Sequence, residues 1–97
     1  MLEHIVLFKW KPEATPEAIA SILDDFNHMP GNIPEVVSVS CGENLTNRSQ
    51  GFTHGLVVRL NVLEELERYQ QHPFHQKIVQ EKIKPILADI LAVDYQF

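Results

Sequence analysis

An α+β fold, a four-stranded antiparallel sheet with helices on one face, is the class this chain predicts. Three observations carry it. Extended, β-rich segments fall near residues 2–10, 36–41, 51–60 and 90–97. Two helical stretches separate the first from the second and the third from the fourth. The resulting order, β-α-β-β-α-β, is the ferredoxin-like arrangement. The 97 residues are expected to form a single domain, residues 1–97, with no internal linker or repeat.

The first strand runs from Leu2 to Trp10 and stops at Lys11-Pro12. Alternation puts His4, Val6, Phe8 and Trp10 on one face and Ile5 and Leu7 on the other. Both faces are apolar, so both are expected to be covered. Thr15-Pro16-Glu17 reads as a helix start, with a capping hydroxyl, a proline at the first helical position and an acid at the positive helix end. Ile19, Ile22, Leu23 and Phe26 recur at helical spacing, and Pro30-Gly31 is expected to close that helix. The second strand is placed at Val36–Cys41, with Gly42-Glu43-Asn44 turning out of it and a polar loop over residues 45–50.

In the third strand, residues 51–60, alternation aligns Phe52, His54, Leu56, Val58 and Leu60. Asn61 and Glu64 resemble a capping box opening a helix through Leu63, Leu66 and Tyr69. Pro73 disfavours helical geometry at His72, so the helix breaks there and restarts, with a further disturbance at Pro85. Residues 90–97 close the sheet. One helical layer covers one sheet face, which leaves Ile5, Leu7, Val37, Val39 and Val57 on a bare face. A second copy stacked sheet against sheet would cover it, so a homodimer is expected.

Composition excludes several classes. The formal charge is −5 and no lysine or arginine stripe forms, so nucleic acid is not an expected partner. The opening residues lack the basic region and long apolar core of a secretion signal, and no apolar run reaches the ~20 residues a membrane span needs. Cys41 is the one cysteine, which allows no disulfide within the chain and suits a reducing compartment. A cytoplasmic protein without membrane contact is expected. Zinc-ligand spacing, a Gly-x-Ser-x-Gly elbow and a phosphate-cradling glycine loop are all missing.

The side chains that could carry chemistry are histidines and one tyrosine. His4 and His54 fall on strand faces shared with apolar residues, where a buried imidazole satisfied by one hydrogen bond is an equally good reading. Tyr69-Gln70-Gln71-His72-Pro73-Phe74-His75 places a phenol and two imidazoles at an interrupted helix. Histidine titrates near ~6.5 and can take or give a proton, and a phenol can donate to a developing oxyanion. The bland alternative is that His72 caps a helix while Tyr69 and His75 pack.

The opening His4-Ile5-Val6-Leu7-Phe8, the central Gly51-Phe52-Thr53-His54, the segment Tyr69-x-x-His72-Pro73-x-His75 and the closing Val93-Asp94-Tyr95 together resemble the stress-responsive A/B barrel (Dabb) family over nearly the whole chain. The resemblance implies a dimeric α+β barrel with a stress-related or small-molecule-binding role. One branch of that family, of the olivetolic acid cyclase type, performs aldol-type ring closure of a polyketide. By resemblance to that branch, His75 would be the catalytic base and Tyr69 would hold the substrate, with His4 and His54 lining the pocket. Beside them His72, Phe52 and Phe74 would complete it, Phe74 standing where the cyclase has alanine and narrowing the space. The expected partner is then a small carbonyl-containing ligand. No cofactor is expected, apart from a magnesium ion that some relatives hold on backbone carbonyls, here near Asn32, Ile33 and Val36.

Overall fold

The computed structural model describes residues 1–97. Its elements are β1 (Leu2–Trp10), α1 (Pro16–Asn27), α2 (Met29–Asn32), β2 (Ser38–Glu43), β3 (His54–Leu60), α3 (Glu65–Gln71) and α4 (Pro73–Ile78). A π-helical turn (Val79–Ile83) and a 3-10 turn (Lys84–Ile86) then lead into β4 (Leu87–Gln96). The sheet order is β2-β3-β1-β4, with every neighbouring pair antiparallel. The expected ferredoxin-like α+β architecture is the one found.

Register decides the faces. His4 pairs with Val58 and Asp94, Val6 with Leu56 and Ala92, and Phe8 with His54 and Ile90. These side chains lie under the helices, where Ile22 and Phe26 of α1, Tyr69 of α3 and Ile78 of α4 are buried against Val6, Phe8, Leu56, Val58 and Leu60. On the opposite face Ile5 pairs with Val57 and Val93, and Leu7 with Gly55 and Leu91.

Local signals account for several boundaries. Thr15 caps α1 through its hydroxyl, which accepts from the Ala18 N–H at 3.1 Å. His72 is extended (φ −60°, ψ 135°) between α3 and α4, and its Nδ1 accepts the Phe74 N–H at 3.1 Å. The disturbance expected at Pro85 is present as the 3-10 turn. It follows a π-helical turn across which Ile78 and Ile83, five residues apart, are both buried.

Other expectations are corrected. Pro30-Gly31 does not close a helix. α1 ends at Asn27, and Pro30 sits in the first turn of α2, where its missing N–H costs no intrahelical bond. The second strand begins at Ser38 and keeps Gly42 and Glu43, because these pair with Gly55 and His54. Val36 therefore turns into the core, Val37 lies ahead of the strand, and Val39, opposite Val58, faces the helices. The bare face of β2 is Ser38, Ser40 and Gly42, not a valine ridge.

The third strand starts at His54 and not at residue 51. Gln50 and Gly51 take positive φ angles of 55° and 90° in the turn, which takes Phe52 out of the alternation. The Asn61 capping box does not form; Glu65 instead accepts the Val62 N–H at 3.3 Å. Pairing along the full length of β1 draws Leu87 to Asp89 into the fourth strand, around a register shift between Lys9 and Trp10. Ala88 and Asp89 have little intrinsic preference for that state, so the partner strand decides it.

Candidate functional site

A cavity of about 260 Å³ opens between the β1/β4 half of the sheet and the second helical region. His4, Val6, Phe8, Ile90 and Ala92 form its floor. Its roof is Tyr69 and Gln70 of α3, His75 of α4, and Val79, Ile83 and Lys84 from the irregular turns. The interruption at His72-Pro73 is what places two elements of that roof. α3 delivers Tyr69, the chain turns, and α4 brings His75 back so that the two rings lie 4.6 Å apart at a tilt of 55°.

His75 is held by its backbone surroundings. Its Nδ1 lies 3.0 Å from the Gln70 carbonyl, which can only accept, so Nδ1 carries the proton and donates. That leaves Nε2 as the basic nitrogen of the neutral ring. Burial holds the pKa of His75 below the ordinary histidine value, His4 and His72 push it the same way, and the Gln70 carbonyl opposes them. The neutral base form is thereby favoured.

His4, 6% exposed, is hydrogen-bonded through Nδ1 to the carboxylate of Asp94 on the neighbouring strand. A carboxylate orienting one ring nitrogen fixes which nitrogen is left for other partners. The His4 ring meets Tyr69 edge-on at 5.8 Å. Tyr69 is 1% exposed, and burial pushes its phenol well above the ordinary range, so it stays protonated. Its hydroxyl donates to the Met29 sulphur at 3.7 Å, a weak acceptor.

The structure thus brings His4, Tyr69 and His75 together and leaves four expected pocket residues elsewhere. His54 is on the same sheet face as His4 but four positions along the strand pairing, roughly 13 Å at strand rise. Its Nδ1 accepts the Trp10 indole N–H at 3.0 Å and lies 2.9 Å from the Thr53 hydroxyl, beside a cleft shared with Ile19, Leu23 and Glu43. Phe8, stacked on Trp10 at 5.1 Å and against Phe26 at 5.8 Å, stands between the two regions. Burial also lowers the pKa of His54, with Glu43 opposing.

Phe52 lies on the other side of the sheet, under the Lys9 ammonium at 4.5 Å. His72 is spent as a helix cap. Phe74 packs against the core and borders a groove with Asp25, Lys77 and Lys82, so it does not narrow the cavity.

Three contributors were not anticipated: Asp94, Gln70 and Lys84. Asp94 needs the β1/β4 register, which no local pattern supplies. Lys84 reaches the cavity because the π-helical turn shifts the helical phase by one residue. The only trace of that turn in the sequence is the five-residue spacing of Ile78 and Ile83. No group of three or more histidine, cysteine, aspartate or glutamate side chains is placed to hold a metal ion. No helix is long and apolar enough to cross a membrane.

A ferredoxin-like sheet with one helical layer and a histidine-bearing cavity between them defines the class. Residues 2–97 match the family described as Stress responsive A/B Barrel Domain, and the chain belongs to it. It is 35% identical over 96 residues to a stress-response A/B barrel domain-containing protein of Arabidopsis thaliana, a match covering 98% of this chain and 36% of that protein. A second such protein of the same plant is 33% identical over 99 residues, covering 98% of this chain and 46% of its own length. The chain thus spans about a third to a half of the length of these Arabidopsis relatives. Over 76 residues it is 26% identical to the olivetolic acid cyclase of Cannabis sativa, covering 76% of this chain and 75% of that one. A dimeric ferredoxin-like protein of unknown function from Thermobifida fusca superposes with a TM-score of 0.86 at 28% identity, covering 99% of this chain and 90% of that one.

Proposed function

We propose that this barrel binds a small, largely apolar carbonyl compound in the cavity under β1 and β4, within a stress-responsive protein of a reducing, cytoplasmic compartment. The observation that carries the reading is His75: its Nδ1 is tied to a backbone carbonyl while the rest of the ring borders an apolar cavity of about 260 Å³. Neither Phe74 nor Trp10 plugs that space. Thermal-shift measurements with aryl ketones test it. A stabilising ketone whose effect is lost in His75→Ala supports the cavity; no shift with any of them, in folded protein, overturns it.

The same geometry favours a second reading, the aldol-type chemistry that the resemblance to the cyclase branch implies. The Nε2 of His75 would take a proton from the carbon α to the bound carbonyl; the C–H electron pair would form the new carbon–carbon double bond, and the carbonyl π pair would move to oxygen to give the enolate. Tyr69 would steady that oxygen after exchanging the Met29 sulphur for it, a small cost because a thioether accepts weakly. The test is exchange of ketone α-protons in deuterated water, followed by NMR. Catalysed exchange that His75→Gln abolishes and Tyr69→Phe slows identifies an enolising site; ketone binding with no exchange leaves a binding protein.

The functional unit we propose is a homodimer joined through the bare sheet face. Leu91, Val93 and Tyr95, 49%, 52% and 47% exposed, extend the apolar surface of Ile5, Leu7 and Val57 there. The Thermobifida fusca relative is described as dimeric. A magnesium ion at Asn32, Ile33 and Val36 would rest on backbone carbonyls at the C-terminal end of α2, where helix carbonyls lack intrahelical partners, although that of Ile33 already accepts from Val36 at 3.1 Å. Such an ion would brace the turn, and no step of the chemistry above runs through it. A rise in melting temperature with magnesium that a chelator reverses tests it.

A further inference from the structure

We propose that the compound taken by this cavity is an anion, an apolar molecule with a carboxylate at one end, and that Lys84 anchors that charge at the cavity mouth. This rests on the cavity reading above and names the class of ligand within it.

The argument begins from the charges around the cavity. No aspartate or glutamate lines it, and the one lining side chain with a permanent charge is the ammonium of Lys84. Of the basic side chains, Lys82 and Arg59 are paired with carboxylates within the chain. Lys82 holds Asp25 at 2.6 Å and Ser21 at 2.8 Å, and Arg59 holds Glu3 at 2.9 Å. Lys84 makes no ion pair within the chain.

The backbone explains how it comes to be there. After Ile78 the helix adds one residue in a π-helical turn, so Ile83 is the residue buried and Lys82 swings away to Asp25. Lys84 then opens the 3-10 turn beside the cavity, with Pro85 holding the chain out of further helix. Single π-turns of this kind concentrate at functional sites.

The interior decides where a ligand's charge must sit. Its floor is mostly apolar (Val6, Phe8, Ile90, Ala92), and burying a carboxylate among such groups without a partner is costly. Lys84 is exposed, so an anion paired with it stays partly hydrated while the apolar body enters. In that pose the apolar body shares the cavity with His75 and His4. A neutral ligand of the same shape would bind without using Lys84.

The test uses 4-propylbenzoate and its neutral isostere 4-propylbenzamide. Binding is followed by calorimetry and located by NMR shift changes at Tyr69 and His75, with the wild-type chain, Lys84→Gln and Lys84→Arg. The expected result is a preference for the benzoate of about tenfold, the scale of one partly solvated charge-assisted contact. It should weaken with added salt, vanish in Lys84→Gln and return in Lys84→Arg. Equal binding of both compounds, or a preference that survives Lys84→Gln, overturns the role of Lys84 and leaves the cavity reading standing. Failure of both compounds to bind folded protein overturns the cavity reading and this inference with it.

Discussion

On the helix-covered face of the sheet His4, Val6 and Phe8 of the central strand are 6%, 5% and 2% exposed, while across the same strand Ile5 and Leu7 are only half-buried and their partners Leu91 and Val93 are about half exposed. Both faces follow from one alternating pattern, and both are apolar. The difference is what covers them. The chain supplies its own helices to one side, and with them Tyr69, His75 and Lys84, so a cavity with chemistry forms there. On the other side Glu3 and Arg59 are locked to one another at 3.2 and 2.9 Å, with the guanidinium over the Phe97 ring at 4.9 Å. The middle of that face, Ile5, Leu7, Val57, Leu91 and Val93, presents aliphatic surface. One face is closed by the chain's own helices, and the other is left open.

The sharpest way to break this comparison is to remove apolar volume from each face in turn. Leu60→Ala, at a fully buried position under the helices, should cost about 2–5 kcal/mol in denaturant unfolding, independent of protein concentration. Val93→Asp on the bare face should convert the dimer to monomer by sedimentation, with about 2 kcal/mol of apparent stability lost per protomer and the cavity's ligand response retained. An unchanged mass for Val93→Asp would remove the bare face as the dimer contact.

Acid should distinguish the faces more gently. Burial lowers the pKa of both His75 and His54, so the unfolded chain binds more protons than the folded one below the ordinary histidine value. The stability these neutral rings contribute is present above pH ~6.5 and falls away as the pH drops from there toward their folded values. Unfolding curves between those limits should flatten in His75→Gln and, separately, in His54→Gln; a slope unchanged by either assigns the loss to other groups. On the bare face the group is an acid. The hydrogen bond from Arg59 lowers the pKa of Glu3, so its contribution is present above the usual carboxylate range and is lost as pH falls through the lowered value. Glu3→Gln should remove that acid limb, the smallest of these effects because the Arg59 end of the pair is open to solvent.

Much of the fold was legible because it rests on short-range rules. Thr15-Pro16 starts a helix wherever it meets a helical apolar pattern, and His72-Pro73 breaks one for steric reasons local to the dipeptide. Alternation likewise put His4 and His54 each on an apolar face of its own strand. It could not say where along that face each lies, and a pair of residues can share a face and be separated by Phe8 and Trp10. Phe52 was lost for a related reason, since two positive φ angles at Gln50-Gly51 end the alternation on which its placement depended.

The order of elements, the two-sided apolar sheet, the broken second helix and the spacing that lets the Tyr69 and His75 rings meet follow from the sequence alone, because each is written in neighbours a few residues apart. Only the tertiary structure decided that Asp94 orients His4, that Met29 receives the Tyr69 hydroxyl, that Val39 turns inward and that Lys84 reaches the cavity. Those contacts depend on strand register and helical phase. Both are settled by packing between segments up to ninety residues apart, as His4 and Asp94 are, and a shift of one residue moves a side chain to the other face of a strand or about 100° around a helix.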